Sequence, residues 1–146
     1  MVLSPDFKEF VKLLNEHEVR YLIVGGYAVT IHGRPRYTKD IDIWLWLEPT
    51  NAARIVQMLD EFGFGSLGLS AEDFLEPNQV IQLGYPPSRI DLTTSLTGVD
   101  FETCYPERLT IEVDSVELSV IDLENLKKNK RATGRLQDLA DVEALD

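Results

Sequence analysis

The sequence predicts an α/β fold that closes in a helical C-terminal segment, and three observations carry that prediction. The first twenty residues hold an amphipathic helical pattern. Short, apolar, β-rich runs then alternate with helical patterns and with glycine- or proline-marked turns. A final apolar stripe recurs at helical spacing, at Leu136, Leu139, Val142 and Leu145. At 146 residues the chain is about the size of one ordinary domain, so a single domain over 1–146 is expected, with a core at 1–120 and a helical segment at 121–146.

The elements follow in order. Ser4-Pro5-Asp6 supplies an N-cap and a proline at the first helical position, and Phe7, Phe10, Val11 and Leu14 fall at i, i+3, i+4 and i+7, which predicts a helix to about residue 18. Residues 20–24 are a mostly apolar, β-rich run that stops at Gly25-Gly26, a buried strand ending in a tight turn. Residues 27–32 read as helical and end at Gly33. Proline and charge make 34–39 a loop, and 40–47 the next strand. Pro49-Thr50 opens a helix with Ala53, Ile55, Val56, Met58, Leu59 and Phe62 on or near its inner side. Glycines 63, 65 and 68 mark a loose connection, followed by weaker strands at 80–83, 89–93 and 115–120. Asp122 caps a helix that Gly134 interrupts.

Composition excludes several classes. The chain is 44% hydrophobic and 27% charged, the profile of a folded globular protein. No apolar run approaches the roughly 18 residues of a membrane span, and Asp6 and Glu9 stand where a secretion signal needs a basic, then apolar start. Cys104 is the single cysteine, so no internal disulfide is available; this fits a reducing compartment, and a cytoplasmic location is expected. Cys104 itself reads as a small packed residue. The net charge of −11 argues against extended nucleic-acid binding, whose affinity comes from Lys and Arg displacing counterions. Even so, eight of the 14 basic residues lie in two short stretches, Arg34, Arg36 and Lys39 in one, and Lys127, Lys128, Lys130, Arg131 and Arg135 in the other.

The chemistry concentrates in Thr38-Lys-Asp-Ile-Asp-Ile-Trp-Leu. Strand alternation puts Asp40 and Asp42 on one face and Ile41 and Ile43 on the other. Two adjacent carboxylates raise each other's pKa unless a cation neutralises them, and Mg²⁺, which prefers carboxylate oxygens, suits the task. An Asp-x-Asp alone also describes the solvent face of an edge strand. Three further features sharpen it. Gly25-Gly26 at a strand–helix junction lets backbone amides approach a phosphate; Asp91, in Ser-Arg-Ile-Asp-Leu-Thr, supplies a third carboxylate if its strand is a neighbour; and the loop from Arg34 to Lys39 brings positive charge beside the pair. Trp44 and Trp46 share that face by parity, to stack on a base or to pack against a helix. His32 reads as a helix-end residue or a phosphate contact, His17 as surface, and Tyr85-Pro-Pro-Ser as a pocket rim or a stiff turn.

The run Val24-Gly-Gly-Tyr-Ala-Val-Thr-Ile-His-Gly-Arg-Pro-Arg-Tyr-Thr-Lys-Asp-Ile-Asp resembles the signature of the nucleotidyltransferase superfamily related to DNA polymerase β. Within it, the thirteen residues between Gly26 and Asp40 are most similar to the bacterial branch of AbiEii-type toxins and small nucleotidyltransferases; the minimal antitoxin-like branch has Gly-Ser and a shorter gap. Arg89-Ile-Asp-Leu resembles the family's third-carboxylate strand. Leu126-Lys-Lys-Asn-Lys-Arg-Ala-Thr-Gly-Arg-Leu-Gln-Asp-Leu-Ala-Asp is similar to its C-terminal helices, where a Lys and an Arg-x-x-Asp recur.

The resemblance implies a mixed β-sheet flanked by helices and transfer of a nucleoside monophosphate from an NTP, with Mg²⁺ or Mn²⁺, to an acceptor hydroxyl. It implies Asp40 and Asp42 as ligands shared by two metals, and Asp91 as ligand to the catalytic one and a base for the acceptor. Gly25 and Gly26 would cradle phosphate, with Arg36, Lys39, Lys130 and Arg135 around the nucleotide; Arg135 fits equally well packed on Asp138 or Asp141. The implied partners are the NTP, an acceptor, and a toxin–antitoxin partner or a second copy of the chain. A non-catalytic binding module and a metal-dependent phosphate-ester hydrolase remain alternatives on the same residues.

Overall fold

The structure, a computed structural model, describes residues 3–33, 40–84 and 89–146. Arg36, Lys39 and the Tyr85-Pro-Pro-Ser segment lie outside the described residues.

The first helix, α1 (Pro5–Glu16), begins as expected: the Ser4 side chain accepts from the Phe7 amide at 3.2 Å. It ends earlier than the apolar pattern suggests because Glu18 takes a left-handed φ of 56°. The Val19 amide then reaches back to the Leu14 carbonyl, a termination usually given to glycine. Strand β1 (Tyr21–Val24) is buried along its whole length. Helix α2 (Gly25–Ile31) starts directly from it, at the first glycine rather than at Tyr27. Then come β2 (Ile41–Leu45), α3 (Pro49–Phe62), β3 (Val80–Leu83), β4 (Ile90–Thr93), the single turn α4 (Phe101–Cys104), β5 (Leu109–Val113), β6 (Val116–Val120), α5 (Leu123–Thr133) and α6 (Leu136–Leu145). In α3 the inward alanine is Ala52, and Ala53 faces out.

The six strands form one mixed sheet in the order β3-β4-β2-β1-β6-β5. β1 runs antiparallel to β2 and parallel to β6, and β2 runs parallel to β4. The outer pairs β3/β4 and β5/β6 are antiparallel. This is the flanked mixed sheet that the resemblance implies. β1 reads as an uninterrupted apolar run because it is a central strand with both faces covered. Packed on the sheet, α1 and α3 meet through Phe10 and Phe62, edge to face at 5.1 Å, a geometry aromatic pairs favour.

Strand β5 is a finding that the sequence pattern did not announce. It joins β6 through Asp114 and Ser115, both at positive φ (53° and 67°). That is the backbone of a type I′ hairpin turn, normally signalled by Asn-Gly or Asp-Gly; here the second residue is a serine.

The C-terminal helices also depart from the apolar stripe. Leu136 is exposed, and the inward residues of α6 are Asp138, Asp141 and Val142. The two carboxylates are buried because Lys130 of α5 meets both, at 3.0 Å each. α5 is in turn fixed to the body where the Asn129 amide donates to the Thr97 carbonyl at 2.9 Å. There Gly98 has no room for a side chain against Ala132.

Candidate functional site

Parallel pairing of β2 with β4 sets Asp42 directly opposite Asp91, the adjacency that sequence left open. Asp40 lies just before β2, where Arg89, just before β4, reaches it. The Arg89 guanidinium holds Asp40 Oδ2 at 2.7 Å, and its Nε and a terminal nitrogen meet the two Asp91 oxygens at 3.1 Å each. Bidentate pairing of this kind fixes geometry as well as charge. Arg89 is the site residue that sequence reasoning missed. Its signal was present, because residues 89 and 91 share a strand face by parity.

Asp42 stands apart from this clamp. Among the described residues no hydrogen-bond donor meets its carboxylate. Burial first, then the charges of Asp91 and Asp40, push its pKa up to about 6 against the opposing pull of Arg89 and Lys130. Gly25 explains part of that confinement: at φ +67°, its α-carbon faces Asp42, and a β-carbon there would collide with Asp42 Oδ2 and crowd the rest of the carboxyl. Glycine is therefore required twice at this position, for its backbone and for its missing side chain. Among the described residues no side chain caps the α2 amides that follow.

A cleft of about 620 Å³ joins Gly25, Asp42, Asp91, Lys130 and Arg135, a volume suited to a nucleotide. Asp40 and Gly26 lie next to these residues in the chain without lining the cleft. On its far wall, burial alone would raise the Asp138 pKa, but hydrogen bonds from Thr133, Lys130 and Arg135 prevail and hold it at about 2. Lys130 is buried, whereas Arg135 donates to Asp138 at 2.7 Å with most of its side chain exposed. Arg135 thus both packs on Asp138, as one reading expected, and borders the cleft, as the other did.

The carboxylates carry the donor chemistry of a hard divalent cation. Asp40 Oδ1 is buried with no hydrogen-bond partner among the described residues, and Asp42 lacks a donor, so two acids retain oxygens for Mg²⁺ or Mn²⁺. The fit is conditional on Arg89. Among the described residues no three acidic, His or Cys side chains stand gathered as a metal-binding group, and the Arg89 guanidinium bridges Asp40 and Asp91.

The tryptophans, histidines and cysteine make packing or local polar contacts. Trp44 is buried edge to face against Phe101, and Trp46 stacks on the same ring. His32 Nε2 donates to the Ile121 carbonyl at 2.7 Å, and His17 Nε2 meets Glu61 at 2.6 Å. Burial, then the charges of Asp122 and Asp100, push the Cys104 thiol to about 11, which removes it as a nucleophile. Among the described residues no helix is long and apolar enough to cross a membrane.

Comparison with known proteins agrees with the geometry. No curated protein matches the chain by sequence. Three solved structures share its fold over 99% of the chain. A Thermotoga maritima protein (TM1012), provisionally described as a nucleotidyltransferase, is 15% identical with a TM-score of 0.60 over 92% of its own length. The lincomycin-bound lincosamide antibiotic adenylyltransferase LnuA is 14% identical, TM-score 0.58, over 96%. An antigenic nucleotidyltransferase-like protein of Paracoccidioides brasiliensis is 17% identical, TM-score 0.54, over 78%. At such identities the likeness establishes the nucleotidyltransferase fold alone. The family model described as "nucleotidyltransferase of unknown function (DUF6036)" matches residues 5–146, and the chain belongs to that family.

Proposed function

We propose that the protein transfers a nucleoside monophosphate from an NTP to an acceptor hydroxyl, with Asp40, Asp42 and Asp91 holding divalent metal. The observation that supports this most is the cleft uniting Gly25, Asp42, Asp91 and Lys130. Bound Mg²⁺ or Mn²⁺ would neutralise the triphosphate and the developing charge of phosphoryl transfer. For their part, the Gly25 and Gly26 amides donate to phosphate oxygens where no side chain intervenes. Asp91 accepts the acceptor's proton once Arg89 has moved aside. Lys130 and Arg135 add positive charge opposite the carboxylates, and Arg36 and Lys39, which shortly precede Asp40 in the sequence, are assigned to the nucleotide in the same proposal.

A small-molecule hydroxyl is the acceptor class to test first, given the fold shared with an antibiotic adenylyltransferase. Membership of the AbiEii-type branch, with a toxin–antitoxin partner or a second copy of the chain, belongs to the same proposal. A second reading has one observation behind it: Arg89 already neutralises two of the three acids, which suits a nucleotide-binding module without turnover.

Calorimetric titration of each NTP with Mg²⁺, followed by transfer assays with α-labelled NTP, separates these readings. Transfer that disappears in Asp42→Asn with nucleotide binding retained supports the enzyme. Binding without transfer for any acceptor supports the module. Release of free monophosphate in place of transfer points to a hydrolase, and near-normal turnover in Asp42→Asn overturns the site assignment.

A further inference from the structure

Three arginines converge on a second cleft at the opposite end of β1 from Gly25. Arg20 immediately precedes the strand and Gly25 immediately follows it, a separation of roughly 16 Å at strand rise. The cleft, of about 460 Å³, is bordered by Arg20, Arg54, Arg108 and Tyr105. Among the described residues it shares none with the carboxylate cleft.

Each guanidinium is held in place without a carboxylate paired to it, Arg54 feeling Glu48 only at longer range. Arg20 has both its backbone groups bonded to the buried Asn51, at 2.8 and 3.1 Å, and its guanidinium carbon sits 5.0 Å from the Trp46 ring and 5.3 Å from Tyr105. Arg108 lies 3.9 Å over the Tyr105 ring and donates one terminal N–H to that residue's carbonyl at 2.9 Å. Arg54 donates to the Glu18 carbonyl at 3.2 Å, which the left-handed backbone of Glu18 presents.

Among the described residues none of the three has a carboxylate within ion-pair distance. That is unexpected in a chain of net charge −11, the more so because Glu18 and Glu117 border the same cleft. Both glutamate side chains are exposed, while their carbonyls face the cleft's polar network. Most telling, Arg108 Nε is buried with no hydrogen-bond acceptor among the described residues, which leaves a desolvated donor uncompensated. Aromatic stacking occupies guanidinium faces and leaves their N–H edges for an oxyanion, which such edges match bidentately.

We propose that this Arg20–Arg54–Arg108 cleft is a second ligand site that binds a phosphate-type oxyanion, either inorganic phosphate or the phosphate group of a small monoester. The cleft exceeds the volume of one anion, leaving room for a small organic group, while the acidic surface around it disfavours a long polyanion.

The test is a titration of the whole, labelled protein with sodium phosphate at about pH 7.5, where the dianion prevails, chloride being exchanged to hold ionic strength constant. Arginine Nε–H resonances report the contact directly. Saturable shifts of Arg108 and Arg20, with affinity about tenfold weaker in a folded Arg54→Gln protein and unchanged in Asp42→Asn, support the proposal. A parallel titration with ribose 5-phosphate assigns the source: tighter binding than phosphate favours the monoester, equal or weaker binding the free anion. Absence of saturation by roughly 50 mM phosphate, equal affinity in Arg54→Gln, or loss of the shifts in Asp42→Asn would overturn it. Should Arg54→Gln fail to fold, Arg20→Gln gives the same comparison, since Arg20 is surface-exposed.

Discussion

Asp42 carries an electrostatic cost that its neighbours only partly offset, and that cost has a pH signature. Its folded pKa of about 6 lies above the 3.8 of a free aspartate, so between those values the native state binds the extra proton. Stability then falls as pH rises from about 4 to 6 and stays level above. Asp42→Asn should stabilise the metal-free fold at pH 7 by up to about 3 kcal/mol, two pKa units at about 1.4 kcal/mol each, with the gain vanishing near pH 4; urea unfolding at both pH values measures it. Gly25→Ala should behave oppositely. The left-handed φ and the contact with Asp42 predict a loss of about 1–3 kcal/mol, accompanied by weaker nucleotide binding in calorimetry. Asp40, Asp42 and Gly25 were legible in sequence because strand parity and a glycine pair state their own geometry. Arg89 was not, since a cation preceding an acid reads equally well as a solvated pair until register puts Asp40 within its reach.

The C-terminal helices show what apolar periodicity leaves out at the scale of an element. The stripe Leu136, Leu139, Val142 and Leu145 predicts α6 correctly as a helix, but its inward face is set by charge: Asp138 and Asp141 turn in toward Lys130 while Leu136 remains exposed. Hydrophobic pattern identifies a helix and assumes that its inner face is apolar, which a buried ion triad violates. Strand β5 escaped for a related reason, its turn being encoded by Asp114 and Ser115 where glycine is the customary signal. The triad makes a sharp prediction, because removing one member strands the others away from water. Lys130→Met should cost about 3–5 kcal/mol in chemical denaturation, and Lys130→Met combined with Asp138→Asn and Asp141→Asn should recover much of it. Recovery in the triple variant without recovery of nucleotide binding would separate the lysine's structural role from its place on the cleft wall.

Across the whole molecule, the mixed sheet makes one wall of the cleft and α5 and α6 make the other, so the carboxylates of the sheet and the cations of the far wall come from separate stretches of the chain. Topology could be inferred only through resemblance, since periodicity says nothing of which strands are neighbours; the parallel β2/β4 pairing that sets Asp42 beside Asp91 is a property of the fold. Arg89 now serves as a tethered counterion for two of the three acids, and metal must compete with it. Arg89→Gln should therefore lower the melting temperature of the metal-free protein while tightening Mg²⁺ binding. Mg²⁺ at about 100 times its dissociation constant stabilises a binding-competent fold by about 2.7 kcal/mol, so the melting shift should be reached at lower Mg²⁺ in Arg89→Gln than in wild type and should be absent from Asp40→Asn, Asp42→Asn. Because a net charge of −11 collects divalent cations diffusely as well, the comparison must be made at matched ionic strength, where diffuse screening is equal in all three proteins. An identical Mg²⁺ response in wild type and Arg89→Gln would mean that the guanidinium and the metal do not share the site.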